Sequence, residues 1–474
     1  MTNPVIENHK EMYYQQNNKE IFEKLKKETQ QSQYLPKFHI FPESGLMNDP
    51  NGLAYFNSQY HVFFQWYPFA PVHGLKHWGY TKSDDLVHWT KQEFALIPDQ
   101  EYEKNGCYSG NAIEFEEELY LFYTANYKTE NGKIPKQAVA VMDKDEQVIK
   151  YSKPIISEKI NGLSGELRDP FVFERAGIYY MLLGGSRFQG KSHAGFGDKG
   201  VLVVYKSKDL FHWEYLDTMD LPIDTGYMLE CPSLIQIDGK DVLFVSVMGM
   251  KTGSYQFSNR FATLYLIGNL DIEGMCFQIE NWDEMDAGFD FYAAQAFLGE
   301  SNVPLLFAWF GCGEPEYPIE ENWKHGLTFP QRISLENGNL KRYPVDNIVE
   351  QFSKEQAIDT TFFKVNSSSY HLHLDQVTSF KVGYGHDYWE FIYDKNTSKV
   401  TVSRENLQQK IDVDYGFERS AFVNMLNSVD LFVDNSFVEI YLNKGEKVFS
   451  FQVFQEKADN IWSSKGLLAG TLYY

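Results

Sequence analysis

The sequence predicts an all-β protein: a five-bladed β-propeller followed by a C-terminal β-sandwich, with a short helix ahead of both. Three observations carry that prediction. A degenerate motif begins at Met47, Tyr108, Leu167, Leu229 and Phe291, at spacings of 61, 59, 62 and 62 residues. Each copy leads through a turn into a second strand-like run, at 60–64, 119–123, 179–183, 242–247 and 305–310. Units of this length, rich in β-branched and aromatic residues, match small antiparallel sheets set around a shared axis. After Pro344, apolar residues alternate with period two at Val429, Leu431 and Val433, then at Val438, Ile440 and Leu442, before a turn at Lys444-Gly445. That is the pattern of strands with one buried face, as in a sandwich.

Residues 1–34 are rich in Glu, Lys and Gln, with Ile21, Phe22 and Leu25 at helical spacing and no proline after Pro4. They predict a helix that packs on the main domain with its polar face outward. Residues 35–345 hold the five units. Within them Lys82-Ser83-Asp84-Asp85-Leu86-Val87-His88-Trp89 recurs, two units on, as Lys206-Ser207-Lys208-Asp209-Leu210-Phe211-His212-Trp213. The echo reads as a turn between outer strands whose tryptophan packs between blades. Residues 346–474 form the sandwich, expected to be structural or to brace the first domain, with carbohydrate or subunit binding as the alternative.

A chain of 474 residues is long enough for two domains and a rigid site. Lysine and arginine number 43 against 65 acidic residues, and the net charge of −22 argues against nucleic acid or an anionic membrane as partner. A phosphorylated substrate would need a local basic patch. No basic segment followed by an apolar run opens the chain, and no apolar stretch approaches the roughly 18 residues of a membrane span, so a cytoplasmic protein is expected. Cys107, Cys231, Cys276 and Cys312 lack disulfide or zinc spacing and read as buried thiols. No metal and no cofactor are expected.

If the motif opens the innermost strand of each unit, Asp49, Asp169 and Glu230 converge on one end of the axial channel. Asp-Pro is a common turn initiator, so each motif alone reads as structural. Three in register point to chemistry. Glycoside hydrolysis with retention needs a carboxylate nucleophile and a protonated carboxyl on the leaving-group side, about 5 to 5.5 Å apart. A third carboxylate that grips the sugar as it flattens would lower the barrier further. Arg168 reads either as a neutralising neighbour of Asp169 or as a contact to substrate hydroxyls.

Gly45-Leu46-Met47-Asn48-Asp49-Pro50-Asn51-Gly52, Leu167-Arg168-Asp169-Pro170 and Glu230-Cys231-Pro232 resemble, in order and spacing, the signature motifs of glycoside hydrolase family 32, the invertase and fructanase family. Tyr227-Met228-Leu229-Glu230-Cys231-Pro232, the segment 288–295 and Trp323-Lys324-His325-Gly326-Leu327-Thr328 resemble its bacterial branch acting on sucrose 6-phosphate. The resemblance implies a propeller with a trailing sandwich that hydrolyses β-fructofuranosides with retention at C2. It assigns Asp49 as nucleophile, Glu230 as acid and then base, and Asp169 as transition-state stabiliser. It nominates Asn48, Gln65, Trp78, Ser109, Arg168, Asp290 and Trp309 for the fructose pocket. For Trp78 and Trp309 core packing competes with sugar contact, and the resemblance favours the pocket.

The chain departs from the family pattern at Leu46, where many members have tryptophan, at Tyr80, where histidine is usual, at Gly184-Gly185-Ser186 and at Val247-Met248. Residues 186–199 read as an inserted loop. Arg187, Lys191, His193, Lys251, Arg260, Lys324 and His325 are candidates for a phosphate contact, with ordinary surface solvation as the alternative for each. The competing functions are a fructosidase acting on fructo-oligosaccharides and a catalytically silent propeller that binds carbohydrate or a protein.

Overall fold

The computed structural model describes residues 10–474 apart from 131, 135, 190–197, 254, 377, 378, 457 and 464. Five antiparallel sheets follow one another along the chain as the blades of a propeller, and two more form a sandwich. The innermost strands are Gly45–Phe56, Ala112–Phe115, Leu163–Arg175, Met228–Ile237 and Tyr292–Leu298. In blades 1 to 4 a two-residue turn with both φ positive returns the chain to the second strand: Asn57-Ser58, Glu116-Glu117, Ala176-Gly177 and Asp238-Gly239. Such turns match the twist of the flanking strands and fix the register of every unit.

The apolar faces of the blades fill the wedges between neighbours. Leu182, Leu202 and Val204 of blade 3 cluster with Leu229, Val245 and Leu264 of blade 4, and the other wedges are filled in the same way. In the repeated turn, Asp85 accepts from the Val87 and His88 amides, and Asp209 does the same for Phe211 and His212. The two tryptophans that follow then reach the preceding blade, Trp89 against Phe307 and Trp213 against Phe122, with ring centroids 6.0 Å apart in both.

Blade 5 closes the ring. Trp323–Lys324 runs parallel to Gly45 and Leu46 on the free edge of the first inner strand, and the Gly45 amide donates to Asn322 O at 2.7 Å. Gly45 has φ 74°, and a Cβ there would lie 2.0 Å from Tyr67 O, so only glycine fits this clasp.

The sandwich packs a sheet holding 369–376 and Val429–Asp434 on one holding Phe380–Tyr384 and Asp387–Asp394, over a core that includes Leu372, Trp389, Phe391, Leu431 and Phe451. It is joined to the propeller by buried ionic groups. The His39 ring meets Asp434 at 2.8 Å and Glu439 at 3.2 Å, Arg342 pairs with Asp286, and Ser450 Oγ donates to Asp286.

The N-terminal helix spans Lys19–Thr29, shorter than the segment 1–34 from which it was expected. Residues 1–9 lie outside the described part. Of its apolar residues Phe22 is the anchor, buried against Trp66 and Phe94 of blade 1, whereas Ile21 is 39% exposed. Tyr14, ahead of the helix, joins the same cluster by stacking on Phe94 at 4.3 Å.

Candidate active site

The pairing of inner with second strand slips within one residue of the same motif position in four blades: between Met47 and Pro50, Arg168 and Phe171, Glu230 and Ser233, and Tyr292 and Gln295. Two residues there oppose one, which is a β-bulge. Asp169, Cys231 and Ala293 take the left-handed backbone, with φ of 63°, 45° and 52°. Blade 2 carries Gly110 at the same point, where a Cβ would lie 1.9 Å from Phe122 O.

A bulge interrupts the in-and-out alternation of a strand, so consecutive residues such as Asn48 and Asp49, or Arg168 and Asp169, both reach the channel. Asn48, Ser109, Arg168, Glu230 and Tyr292 make one tier; Asp49, Gly110, Asp169, Cys231 and Ala293 make the next. The carboxyls thus occupy both tiers, Glu230 in one and the two aspartates in the other. The tiers open into a cleft of ≈ 1170 Å³. A second cavity, ≈ 1150 Å³, opens at the far ends of the inner strands beside Tyr55, Arg175 and Gln236, and it holds none of the three carboxyls.

Glu230 is held within its own tier. Arg168 Nε donates to its Oε1 at 2.8 Å and the Tyr292 hydroxyl to its Oε2 at 2.7 Å. Arg168 also pairs with Glu166 and lies 3.9 Å from Met248 Sδ. Asp49 is surrounded by donors: Asn48 Nδ2 at 3.1 Å, Ser109 Oγ at 2.5 Å and Gln65 Nε2 at 3.4 Å. Burial pushes Asp49 above the usual aspartate range, the Ser109 bond opposes this, and the negative Glu230 adds to the rise. Asp169 accepts from the Cys231 amide at 3.0 Å. Burial, and then the charge of Glu230, push it up to about 7 against the pull of Arg168. The Cys231 thiol lies 3.7 Å from Asp49 and 3.5 Å from Asp169, between the two aspartates.

The expected pocket residues divide. Asn48, Gln65, Arg168 and Trp309 line the cleft with the three acids, and Ser109 sits fully buried just behind Asp49. The indole N–H of Trp309 has no hydrogen-bond partner among the described residues. Trp78 lies elsewhere: wholly buried between blades 1 and 2, it pairs with Gln65 across the sheet and donates to Tyr108 O at 2.9 Å. Asp290 also lies off the cleft. It accepts from the Gln452 amide at 2.8 Å and pairs with Arg404 at 3.3 Å in the seam with the sandwich. Both carry the residue types of a sugar pocket, but core packing claims the indole and a buried arginine claims the carboxylate.

Of the phosphate candidates Arg260 lines the cleft. Arg187 pairs with Asp220 at 2.6 Å, Lys324 is held by Pro315 O, His325 is wholly buried and Lys251 lies away from the cleft. Lys191 and His193 lie outside the described residues, as does most of the loop 186–199. Lining residues that were not anticipated include Lys76, Tyr227, Tyr292 and, from the sandwich, Tyr415. Tyr292 and Cys231 could have been found, because they occupy the repeat positions of Glu230 and Asp169. Nothing in the motif spacing marks Lys76 or Tyr415.

A propeller whose bulged inner strands bring three carboxyls and an arginine to one channel mouth has the build of a glycoside hydrolase. The model of the Glycosyl hydrolases family 32 N-terminal domain matches residues 39–344, and that of the family's C terminal matches 334–468. The chain is 32% identical over 465 residues to the sucrose-6-phosphate hydrolase of Staphylococcus xylosus, covering 94% of this chain and 92% of that protein. It is 33% identical over 449 residues to that of Lactococcus lactis, covering 92% of each. Its fold matches the solved sucrose-6-phosphate hydrolase of Lactobacillus gasseri with TM-score 0.90 at 30% identity, over 98% of both chains. It matches a Bombyx mori beta-fructofuranosidase with TM-score 0.84 at 28% identity, over 96% and 97%. The chain belongs to glycoside hydrolase family 32.

Proposed function

We propose that this enzyme hydrolyses β-fructofuranosides with retention, with sucrose 6-phosphate as the preferred substrate and sucrose as a lesser one. The observation that carries the reading is the contrast between the two carboxyls that face one cleft from blades 1 and 4. Asp49 is surrounded by neutral donors that support a carboxylate, and Glu230 sits one tier away beside Arg168 and Tyr292.

Glu230 gives its proton to the glucosyl oxygen as the bond from that oxygen to C2 breaks, and Asp49 bonds to C2. Water then attacks C2, Glu230 takes its proton, and the bond to Asp49 breaks to release fructose. Asp169, with Asn48, Gln65 and Trp309, holds the fructosyl hydroxyls. Catalysis falls to residues 35–345, and 346–474 supports it, adding Tyr415 to the cleft wall.

The departing sugar lies beside the acid that protonates it, hence toward Tyr227, whose hydroxyl senses Glu230 and Arg260 together. Arg260 stands there against Phe261, with no carboxylate in ion-pair range among the described residues. It suits a phosphate on the leaving glucosyl unit. No helix among the described residues is long and apolar enough to cross a membrane. A phosphorylated sugar is retained inside the cell, so the reading places the enzyme in the cytoplasm. The test is kcat/KM on sucrose 6-phosphate and sucrose side by side. A preference of tenfold or more for the phosphate, about 1.4 kcal/mol, that Arg260→Ala removes while sucrose turnover holds, supports the reading. Equal rates remove the phosphate, and release of fructose only from fructo-oligosaccharides replaces the substrate.

A further inference from the structure

Lys76 is an unusual neighbour for a nucleophile. The side chain is 3% exposed, lies on the floor of the cleft, and donates from Nζ to Asn48 Oδ1 at 2.5 Å. No carboxylate lies within ion-pair range of it among the described residues. A buried ammonium without an ion-pair partner is costly, and at such a position it calls for a role.

An ammonium can only donate, whereas an amide can turn either end toward a neighbour. Lys76 therefore fixes which way Asn48 faces. With Oδ1 committed to Lys76, Asn48 Nδ2 points at Asp49 Oδ1 and at Gln65 Oε1, the latter at 2.9 Å. With Oε1 so occupied, Gln65 must turn Nε2 toward Asp49 Oδ2 and Ser109. The Ser109 oxygen then accepts from Gln65, and its proton has one place left to go, Asp49 Oδ2 at 2.5 Å. Three donors on the nucleophile are thus aligned in series from one charge.

We propose that Lys76 is a positioning residue: it orders the amides of Asn48 and Gln65 and the hydroxyl of Ser109 so that all of them donate to Asp49. Without it, a turned Asn48 would set an oxygen against Asp49 Oδ1, and the order in Gln65 and Ser109 would be lost. Lys76 is surrounded by Asp49 and Glu314, whose charges favour its cationic form, and by His73, His77, His325 and Lys324. Burial holds it down to about 7 and keeps the histidines at 73 and 325 neutral, so below that pH Lys76 is the donor-only cation on this side of the nucleophile.

The proposal rests on Asp49 as nucleophile, and the two fail separately. If Asp49→Asn keeps full turnover, the nucleophile reading falls whatever Lys76 does. For Lys76→Met, kcat on sucrose is expected to drop by about tenfold or more, and the acidic limb of kcat/KM is expected to move to higher pH, because Asp49 loses donors that favour its ionised form. The drop should vanish in an Asn48→Ala background, where there is no amide left to order. An unmoved acidic limb, or a loss that adds in full to that of Asn48→Ala, overturns the proposal and makes Lys76 a direct substrate contact or a packing residue. Should Lys76→Met not fold, Lys76→Gln, which can donate or accept, is read by the same two criteria.

Discussion

Two buried carboxyls, Asp434 at the seam and Asp169 at the cleft, are shifted in opposite directions. At the seam, Asp434 accepts from the amides of Lys37, Phe38 and His39, from the His39 ring and from Ser369. Burial pushes this carboxyl up, but the His39 bond and the amides outweigh it and hold Asp434 below the usual range. At the cleft, Asp169 is equally buried but has Glu230 and Asp49 for neighbours, and it is raised instead. Between these two the neighbours make the difference: the His39 ring and three amides surround Asp434, whereas two carboxylates crowd Asp169.

The sharpest way to break this comparison is to remove one carboxyl from each place. Asp49→Ala is expected to lower kcat by about ten-thousandfold or more with the midpoint of thermal unfolding unchanged or raised. Asp434→Asn should do the reverse, costing about 3 to 5 kcal/mol by leaving His39 and the three amides poorly matched, with kcat per folded molecule intact. Urea titration beside an assay of fructose release reads both. Equal effects of the two variants on stability would erase the distinction.

Proton linkage sharpens the contrast. Asp169 is raised from 3.8 to about 7 in the folded state, so it favours folding at low pH, and that contribution fades as the pH climbs between those values. Asp169→Asn should therefore be near neutral for stability at pH 4 and progressively stabilising toward pH 8, where the full shift corresponds to roughly 4 kcal/mol. Asp434 and His39 run the other way at each end. The lowered carboxyl contributes stability that is lost as the pH falls through its folded value, and the raised histidine contributes stability that is lost as the pH rises through its own. Unfolding midpoints across pH 4 to 9 test both signs. The smallest effect belongs to exposed pairs such as Lys24 with Glu28, where Lys24→Ala should cost under about 0.5 kcal/mol.

The five-fold repeat was legible because strand length and turn position are local properties, and a spacing near sixty residues survives when composition drifts. The three acids were legible for the same reason, as were Asn48 and Arg168 beside them. What the repeat conceals is the bulge: a period-two reading sends neighbouring residues to opposite faces, and only the register slip brings Asn48 with Asp49, and Arg168 with Asp169, to the same mouth. Trp78 and Asp290 were misplaced because their partners, Tyr108 O and Arg404, are 30 and 114 residues away in sequence. Tyr415 and Lys76 enter the cleft from segments outside the motif, Lys76 from the connection between the second and third strands of blade 1 and Tyr415 from the sandwich.

The clasp between Trp323–Lys324 and the first inner strand has a consequence for how the molecule comes into being. By the time the ribosome has made Glu230 all three carboxyls of the cleft are present, yet the strand that fastens the circle is still almost a hundred residues from emergence. Nascent chains therefore pass through a long interval in which the reactive groups exist without a common mouth. A break in the chain just before residue 323 would leave them in that condition, with all the chemistry encoded and none of it assembled.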